Sequence, residues 1–163
     1  MKIGVVSDTH SLEVPQQLWD DFQHTDLIIH AGDFCTMEDL NAFSRVKELK
    51  AVCGNMDGDD LRRVLPRRQV FQVEGVTIGV FHGIGAPEGV RDVLRDEFKN
   101  DKVDAIVFGH THQPFHQVID DVLYFNPGSP SDLVLAPYRS YGILEVKAGQ
   151  ISGKIIRVKP RNG

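Results

Sequence analysis

The chain has 163 residues, 41% of them hydrophobic and 25% charged, which is the size and composition of one globular domain and excludes a disordered or fibrous chain. Its 18 Lys and Arg against 23 Asp and Glu leave a formal charge of −5, which excludes charge-driven binding to long nucleic acids or an anionic membrane. Two cysteines (Cys35, Cys53), no apolar run near the roughly 20 residues of a membrane span and a start too soon charged for a signal peptide predict a cytoplasmic single domain over 1–163, with seven histidines as its one oddity.

Short apolar runs alternate with helical patterns along the first two thirds of the chain. Lys2–Ser7 reads as a buried strand, Val14–Phe22 as a weak helix and Asp26–His30 as a second strand. Glu38–Leu49 sets Leu40, Phe43, Val46 and Leu49 on one helical face, with Thr36 as N-cap. Lys50–Cys53 is a third strand. Arg62, Arg63, Arg67 and Arg68 follow as a basic cluster, read either as a phosphate-attracting or subunit-contact surface or as a solvated loop. Val76–Phe81 and Val103–Phe108 are strands flanking a helix over Pro87–Lys99, whose face is Val90, Leu94 and Phe98. After residue 115 the pattern turns to alternating strands, Phe115–Ile119, Val122–Phe125, Tyr141–Val146 and Ile151–Val158, with turns at Asp120-Asp121 and Ala148-Gly149-Gln150. Lys154, Arg157, Lys159 and Arg161 read as protection of an edge strand. Strand–helix alternation followed by a meander predicts an α/β fold of two face-to-face sheets with helices outside.

The chemistry sits where strands end. Apolar runs stop at Asp8-Thr9-His10, Gly32-Asp33, Gly54-Asn55-Met56-Asp57, His82-Gly83 and Gly109-His110-Thr111-His112. If the strands are parallel neighbours, these five segments converge in the crevice beyond their carboxyl ends. The pairs Asp8/His10 and His110/His112, spaced i, i+2 in extended chain, send both side chains to one face. Asp8, His10, Asp33, Asn55, His82, His110 and His112 offer seven oxygen and nitrogen donors and no thiolate. Two ions sharing one carboxylate use such a set as four and four, and the ligand types suit Mn²⁺, Fe²⁺ or Zn²⁺ rather than a structural zinc cage. A pair of divalent ions is a standard device for phosphoester hydrolysis.

The ordered set Asp8-x-His10, Gly32-Asp33, Gly54-Asn55, His82 and Gly109-His110-x-His112 resembles the calcineurin-like metallophosphoesterases, and more narrowly their short bacterial and archaeal phosphodiesterases. The Asn126-Pro127-Gly128-Ser129 turn is similar to one these short members carry. The resemblance implies a four-layer αββα sandwich and attack on phosphorus by a hydroxide bridging two divalent ions, Mn²⁺ first and Fe²⁺, Ni²⁺ or Zn²⁺ also accepted. It implies that Asp8, His10, Asp33 and His112 hold one ion and that Asp33, Asn55, His82 and His110 hold the other. Asn55 and His110 are implied to serve catalysis as well. Many relatives carry His directly after Gly-Asn, proposed to protonate the leaving group; Met56 stands there in this chain. A small phosphodiester is the expected substrate, with no membrane and no long nucleic acid as partner, and a homo-oligomer is allowed. The alternatives are a phosphomonoesterase and, from another class, a protein-binding scaffold like the small retromer subunit that shares this fold. Outside the motif, His30 is expected to pack or to support a ligand, while His24 and His116 are expected to face solvent.

Overall fold

Each short apolar run pairs edge to edge with another, and two sheets result. In the computed structural model, which describes residues 1–160, β1 (Lys2–Val6), β2 (Leu27–His30) and β3 (Leu49–Ala51) run parallel. The antiparallel hairpin of β9 (Ser140–Lys147) and β10 (Gln150–Arg157) extends them into the order β10-β9-β1-β2-β3. The second sheet, β4-β5-β6-β8-β7, has a parallel centre of β5 (Val76–Phe81), β6 (Ala105–Val107) and β8 (Val122–Asn126). Its edges are the antiparallel strands β4 (Arg68–Val73) and β7 (Phe115–Ile119).

Side-chain alternation divides the burial into three layers. In β2, Leu27 and Ile29 join Ile3, Val5, Ile78, Val80, Ala105 and Val107 between the sheets, while Ile28 points to the other face. There α1 (Gln16–Phe22), α2 (Met37–Ser44) and α3 (Asp59–Val64) bury Leu18, Phe22, Leu40, Phe43 and Leu61. A 3₁₀ turn over Pro87–Gly89 leads into α4 (Val90–Glu97), which covers the outer face of the second sheet with Val90 and Leu94. The arrangement is helix, sheet, sheet, helix, as expected.

Three expectations need correction. The strands that end in donor residues do not form one parallel set: β1–β3 lie in one sheet and β5–β6 in the other. The stretch read as a loop around the arginines is α3 followed by the edge strand β4. Leu61 is the one fully buried residue of α3, and Arg68 and Gln69 occupy strand positions on β4, so neither left a clear apolar period. Helix α2 starts at its Thr36 cap, which accepts the Asp39 N–H at 3.3 Å, but stops at Ser44 because Leu49 is drawn into β3. Lys154 and Arg157 lie on the edge strand β10; Arg161 falls outside the described residues.

Phe125 keys the sheets together. Its ring is fully buried, and a Cβ on Gly142 or Gly153 of the facing sheet would come within 2.4 or 2.7 Å of it. Phe125→Ala is expected to cost about 3–5 kcal/mol and Gly142→Ala about 1–3 kcal/mol through overpacking; denaturant unfolding of each variant measures both.

Candidate metal centre

The loops that leave the strands are sewn together across the gap between the sheets. Asp8 N–H donates to Gly32 O and His10 N–H to Asp33 O, both at 3.0 Å. On the other side Gly109 N–H donates to His82 O at 3.0 Å, and His110 N–H reaches Asp8 Oδ2 at 3.0 Å. Such tight returns need unusual backbone. Asp8 (φ 57°), His10 (50°), Asp33 (61°), His110 (69°) and His112 (58°) are all left-handed. This corrects the expectation of extended i, i+2 pairs: the side chains converge because the backbone reverses at each donor. Asp and His tolerate that region better than most residues, yet each such position costs of order 1–3 kcal/mol. At Gly54 and Gly109 no side chain fits, since a Cβ would stand 2.1 Å from Asp33 Oδ1 or 1.9 Å from Ser7 Oγ.

All seven predicted donors come together. Asp8 is fully buried; its Oδ2 accepts from Ser7 Oγ (2.8 Å) and His110 N–H (3.0 Å). Its Oδ1 has no hydrogen-bond partner and faces Nε2 of His112 (3.3 Å), His10 (3.6 Å) and His82 (3.8 Å). Asp33 Oδ1 accepts the Met56 N–H at 2.8 Å, while Oδ2 lies 3.3 Å from His82 Nε2 and 3.6 Å from His10 Nε2. Asn55 Oδ1 sits 3.0 Å from His82 Nε2 and 3.2 Å from His110 Nδ1. His10 and His112 point their Nε2 atoms at each other, 3.2 Å apart.

The far nitrogen of every histidine is engaged, which fixes the face it turns inward. His82 Nδ1 is 2.7 Å from Ala31 O, His110 Nε2 is 2.8 Å from Gly85 O, and His112 Nδ1 is 2.5 Å from Asp132 Oδ2. His10 Nδ1 lies 3.5 Å from Cys35 Sγ. Four imidazoles anchored from behind, an orphaned buried carboxylate oxygen and an amide oxygen facing two ring nitrogens fit divalent cations. Ligand atoms of Asp8, His10 and His112 lie within 4.8 Å of one another, as do those of Asp8, Asp33 and His82.

Without a cation the site supplies its own positive charge. Burial pushes the Asp8 carboxyl up, but the imidazoles of His10, His112 and His82 that face it outweigh that and hold the group far below the usual range. The Asp8 carboxylate facing its Nε2, opposed by burial and aided by Asp132, raises His112 to about 9. Burial lowers His82, yet its contacts with Asp33 and Asp8 raise it on balance.

Two carboxylates outside the predicted ligand set organise the site. Asp57, almost fully buried, gathers the N–H groups of Asp33 (3.0 Å), Cys35 (2.8 Å) and Gly54 (2.7 Å), locking two donor loops together. Its signal was the acid closing Gly-Asn-x-Asp. Asp132 caps its own loop through the N–H groups of Val134, Leu135 and Ala136 while holding His112; a lone Asp in Ser-Pro-Ser-Asp gives no local signal for that. His30 packs: buried, stacked on Phe34 at 3.5 Å, its pKa lowered to about 3 mainly by burial, it accepts the Gly32 N–H on Nδ1 and meets Thr9 Oγ1 at 3.1 Å. His24 and His116 are exposed. Ser129 donates to Asp8 O at 2.8 Å, so the Asn-Pro-Gly-Ser turn buttresses the site from β8.

A profile of the calcineurin-like phosphoesterase superfamily domain matches residues 1–149. The chain belongs to that superfamily. It is 38% identical to a probable metallophosphoesterase of Methanocaldococcus jannaschii, over 98% of this chain and 82% of the relative. It is 34% identical to a probable metallophosphoesterase of Methanothermobacter thermautotrophicus, over 96% of this chain and 92% of that one. A protein of M. jannaschii named as a phosphodiesterase is 26% identical over 78% of this chain and 83% of its own length. Among solved structures, a Thermotoga maritima protein superposes with a TM-score of 0.75 at 34% identity, covering 96% of this chain and 99% of that one. Vacuolar protein sorting 29 of Cryptosporidium parvum, at 16% identity, a TM-score of 0.74 and 98% coverage of both chains, shares the fold. Members of the calcineurin-like superfamily use divalent metals, and the donor cluster of this member is of that kind.

Because His112 carries a proton below about pH 9, a cation must displace it. Affinity for Mn²⁺ or Zn²⁺ is expected to rise with pH toward 9 and then level off, with protons released at pH 7; titration calorimetry in buffers of different ionisation enthalpy reads the release. Asp132→Asn is expected to weaken metal binding by about 10–100-fold while circular dichroism stays unchanged.

Proposed function

We propose that the chain is a single-domain phosphodiesterase that hydrolyses one P–O bond of a small diester with two divalent ions bound. Asp8, His10, Asp33 and His112 hold one ion and Asp33, Asn55, His82 and His110 the other, with Asp33 shared. The observation that carries this reading is the unpartnered Oδ1 of buried Asp8, faced by three imidazole nitrogens whose rings are held from behind. When bound, such ions lower the pKa of water toward 7 and offset the charge of the phosphate; Mn²⁺ suits the donor set best, and Fe²⁺, Ni²⁺ and Zn²⁺ are also accepted.

The chain's own residues then have separable tasks. Asp57 and Ser129 hold the donor loops, so Asp8 and Asp33 cannot retreat from one another. Asn55, with its oxygen turned toward His82 and His110, is left with its amide N–H₂ to donate to a phosphate oxygen. His110 is oriented by Gly85 O at the open side of the site. Met56 is 58% exposed and engages Asp33 only through its backbone N–H, so its side chain offers no proton to a leaving group. The free thiols of Cys35 and Cys53 fit a reducing compartment such as the cytoplasm. The second reading is a protein-binding scaffold, favoured by Leu133, Val134 and Leu135, which are 80%, 87% and 72% exposed beside Asp132.

Chelation followed by single-metal add-back is expected to restore hydrolysis of bis-p-nitrophenyl phosphate over p-nitrophenyl phosphate. Preference for the second compound would make the protein a monoesterase, and no metal-restored activity on either would favour the scaffold. Asp33→Asn and His110→Ala are expected to lower kcat at least ~100-fold with the fold intact by circular dichroism. Lacking a proton donor at Met56, the reaction is expected to slow steeply as leaving-group pKa rises across a series of aryl phosphodiesters; a flat series would place a general acid elsewhere.

A further inference from the structure

A cavity of about 430 Å³ opens beside the donor cluster, with Asn55 and His82 in its wall. It lies toward the low end of the range for small-ligand sites, about 300–1,000 Å³, and so has room for one ring system rather than a polymer. Its remaining walls combine three features that the metal site does not use.

The first is Arg62. Its Nη2 donates to the backbone oxygen of Asn55 at 3.3 Å, which holds the guanidinium against the loop that carries the Asn55 donor. Among the described residues no carboxylate pairs with it, whereas Arg67 is forked onto Glu97 (2.9 and 3.2 Å) and Arg68 is paired with Glu97 and Asp101. Of the four clustered arginines, Arg62 is thus the one that lines the cavity without a carboxylate partner, with donors to spare. The second is Arg67 itself, whose guanidinium lies over the Phe81 ring at 4.6 Å from its centroid. Its side chain is 61% exposed, so a guanidinium already seated over Phe81 stays within reach of another flat ring. The third is the apolar pair Leu65 and Ile84, which also line the cavity.

We infer that this cavity is the substrate's ester-group pocket, built for a phosphodiester with a planar aromatic ester group. Arg67 and Phe81 form the stacking wall, Leu65 and Ile84 cover the ring edge, and Arg62 holds an oxygen of the phosphate. The inference rests on the phosphodiesterase reading for the identity of the ligand, but not for the pocket. It accounts for three of the four clustered arginines: Arg67 and Arg68 are consumed in ion pairs that fix the wall, and Arg62 is left for an anion.

The test uses zinc-loaded full-length protein with phenylphosphonate and methylphosphonate as probes, read by calorimetry and by the ¹³C methyl signals of Leu65 and Ile84. Phenylphosphonate is expected to bind about tenfold tighter and to shift both methyl signals, which methylphosphonate leaves in place. Arg67→Ala, an exposed position whose loss leaves Glu97 paired with Arg68, is expected to erase the phenyl preference, and Arg67→Lys is expected not to restore it. Arg62→Gln is expected to weaken both probes alike. Equal affinities in the wild type, or a phenyl preference that survives Arg67→Ala, would overturn the pocket. If the phenyl preference holds while bis-p-nitrophenyl phosphate is not hydrolysed with any metal, the pocket stands and the phosphodiesterase reading falls. If hydrolysis occurs with no phenyl preference, the reverse is true.

Discussion

Two buried carboxylates facing one another set the terms for this structure. Asp8 and Asp33 are withdrawn from water at the end of β1 and of β2, and the Oδ1 of Asp8 has no hydrogen bond. Burying unneutralised carboxylates costs several kcal/mol per group, so compensating charge must lie within a few ångströms. The protein provides it in two exchangeable forms. The His112 imidazole, raised to about 9 by Asp8 and Asp132, carries a proton at neutral pH when no cation is present, His82 is shifted in the same direction, and a cation would require both as neutral ligands. The same atoms therefore stabilise the metal-free fold and bind the metal, and proton and metal compete for one place.

That arrangement needs support from the backbone, because five donors sit in the left-handed region. Strain of this size persists only where the surroundings over-determine it. Here the surroundings are a second set of polar groups. Asp57 collects three N–H groups from two loops, Ser129 and Ser131 hold the backbone oxygens of Asp8 and Thr9, and Asn126 Nδ2 holds Gly109 O at 3.0 Å. Each tie joins a donor loop to a different strand end. The two sheets are keyed by Phe125 against Gly142 and Gly153, so the ties act on a rigid frame. Precision at the site is a property of the sandwich as a whole, not of the loops that carry the donors.

This division explains what the amino-acid sequence disclosed. Donor types at strand ends are local and chemically distinctive, so Asp8, His10, Asp33, Asn55, His82, His110 and His112 were legible in order. The layers were legible because short apolar runs alternate with amphipathic helices and then give way to a meander, although the unbroken apolar runs of β2 and β6 hid which residues face which layer. Asp132 was not, since its partner His112 is twenty residues away and its loop reads as an ordinary Asx turn. The edge strand β4 was hidden because only Val73 of its six residues is buried, and α3 because Leu61 alone of its six residues is fully buried. The i, i+2 argument reached the right convergence from the wrong backbone: side-chain periodicity assumes regular dihedral angles, and a metal site at a loop is where they fail.

The charge of the chain follows the same logic. A formal −5 excluded polyanions as charge-driven partners, yet it includes the two carboxylates that two divalent ions would more than neutralise, which turns the local field positive where a phosphate must sit. The surface cations point the same way. Arg67 and Arg68 are spent on Glu97 and Asp101, fixing β4 and α4 to each other, while Arg62 is left against the loop that carries the Asn55 donor. An unpaired arginine beside a donor cluster in an otherwise acidic protein is what the proposed small anionic substrate calls for. A polymer would have to cross the acids of α3's first turn, Asp59 and Asp60, whereas the proposed substrate, a single phosphate with a flat ester group, would meet Arg62, Arg67 and the apolar wall.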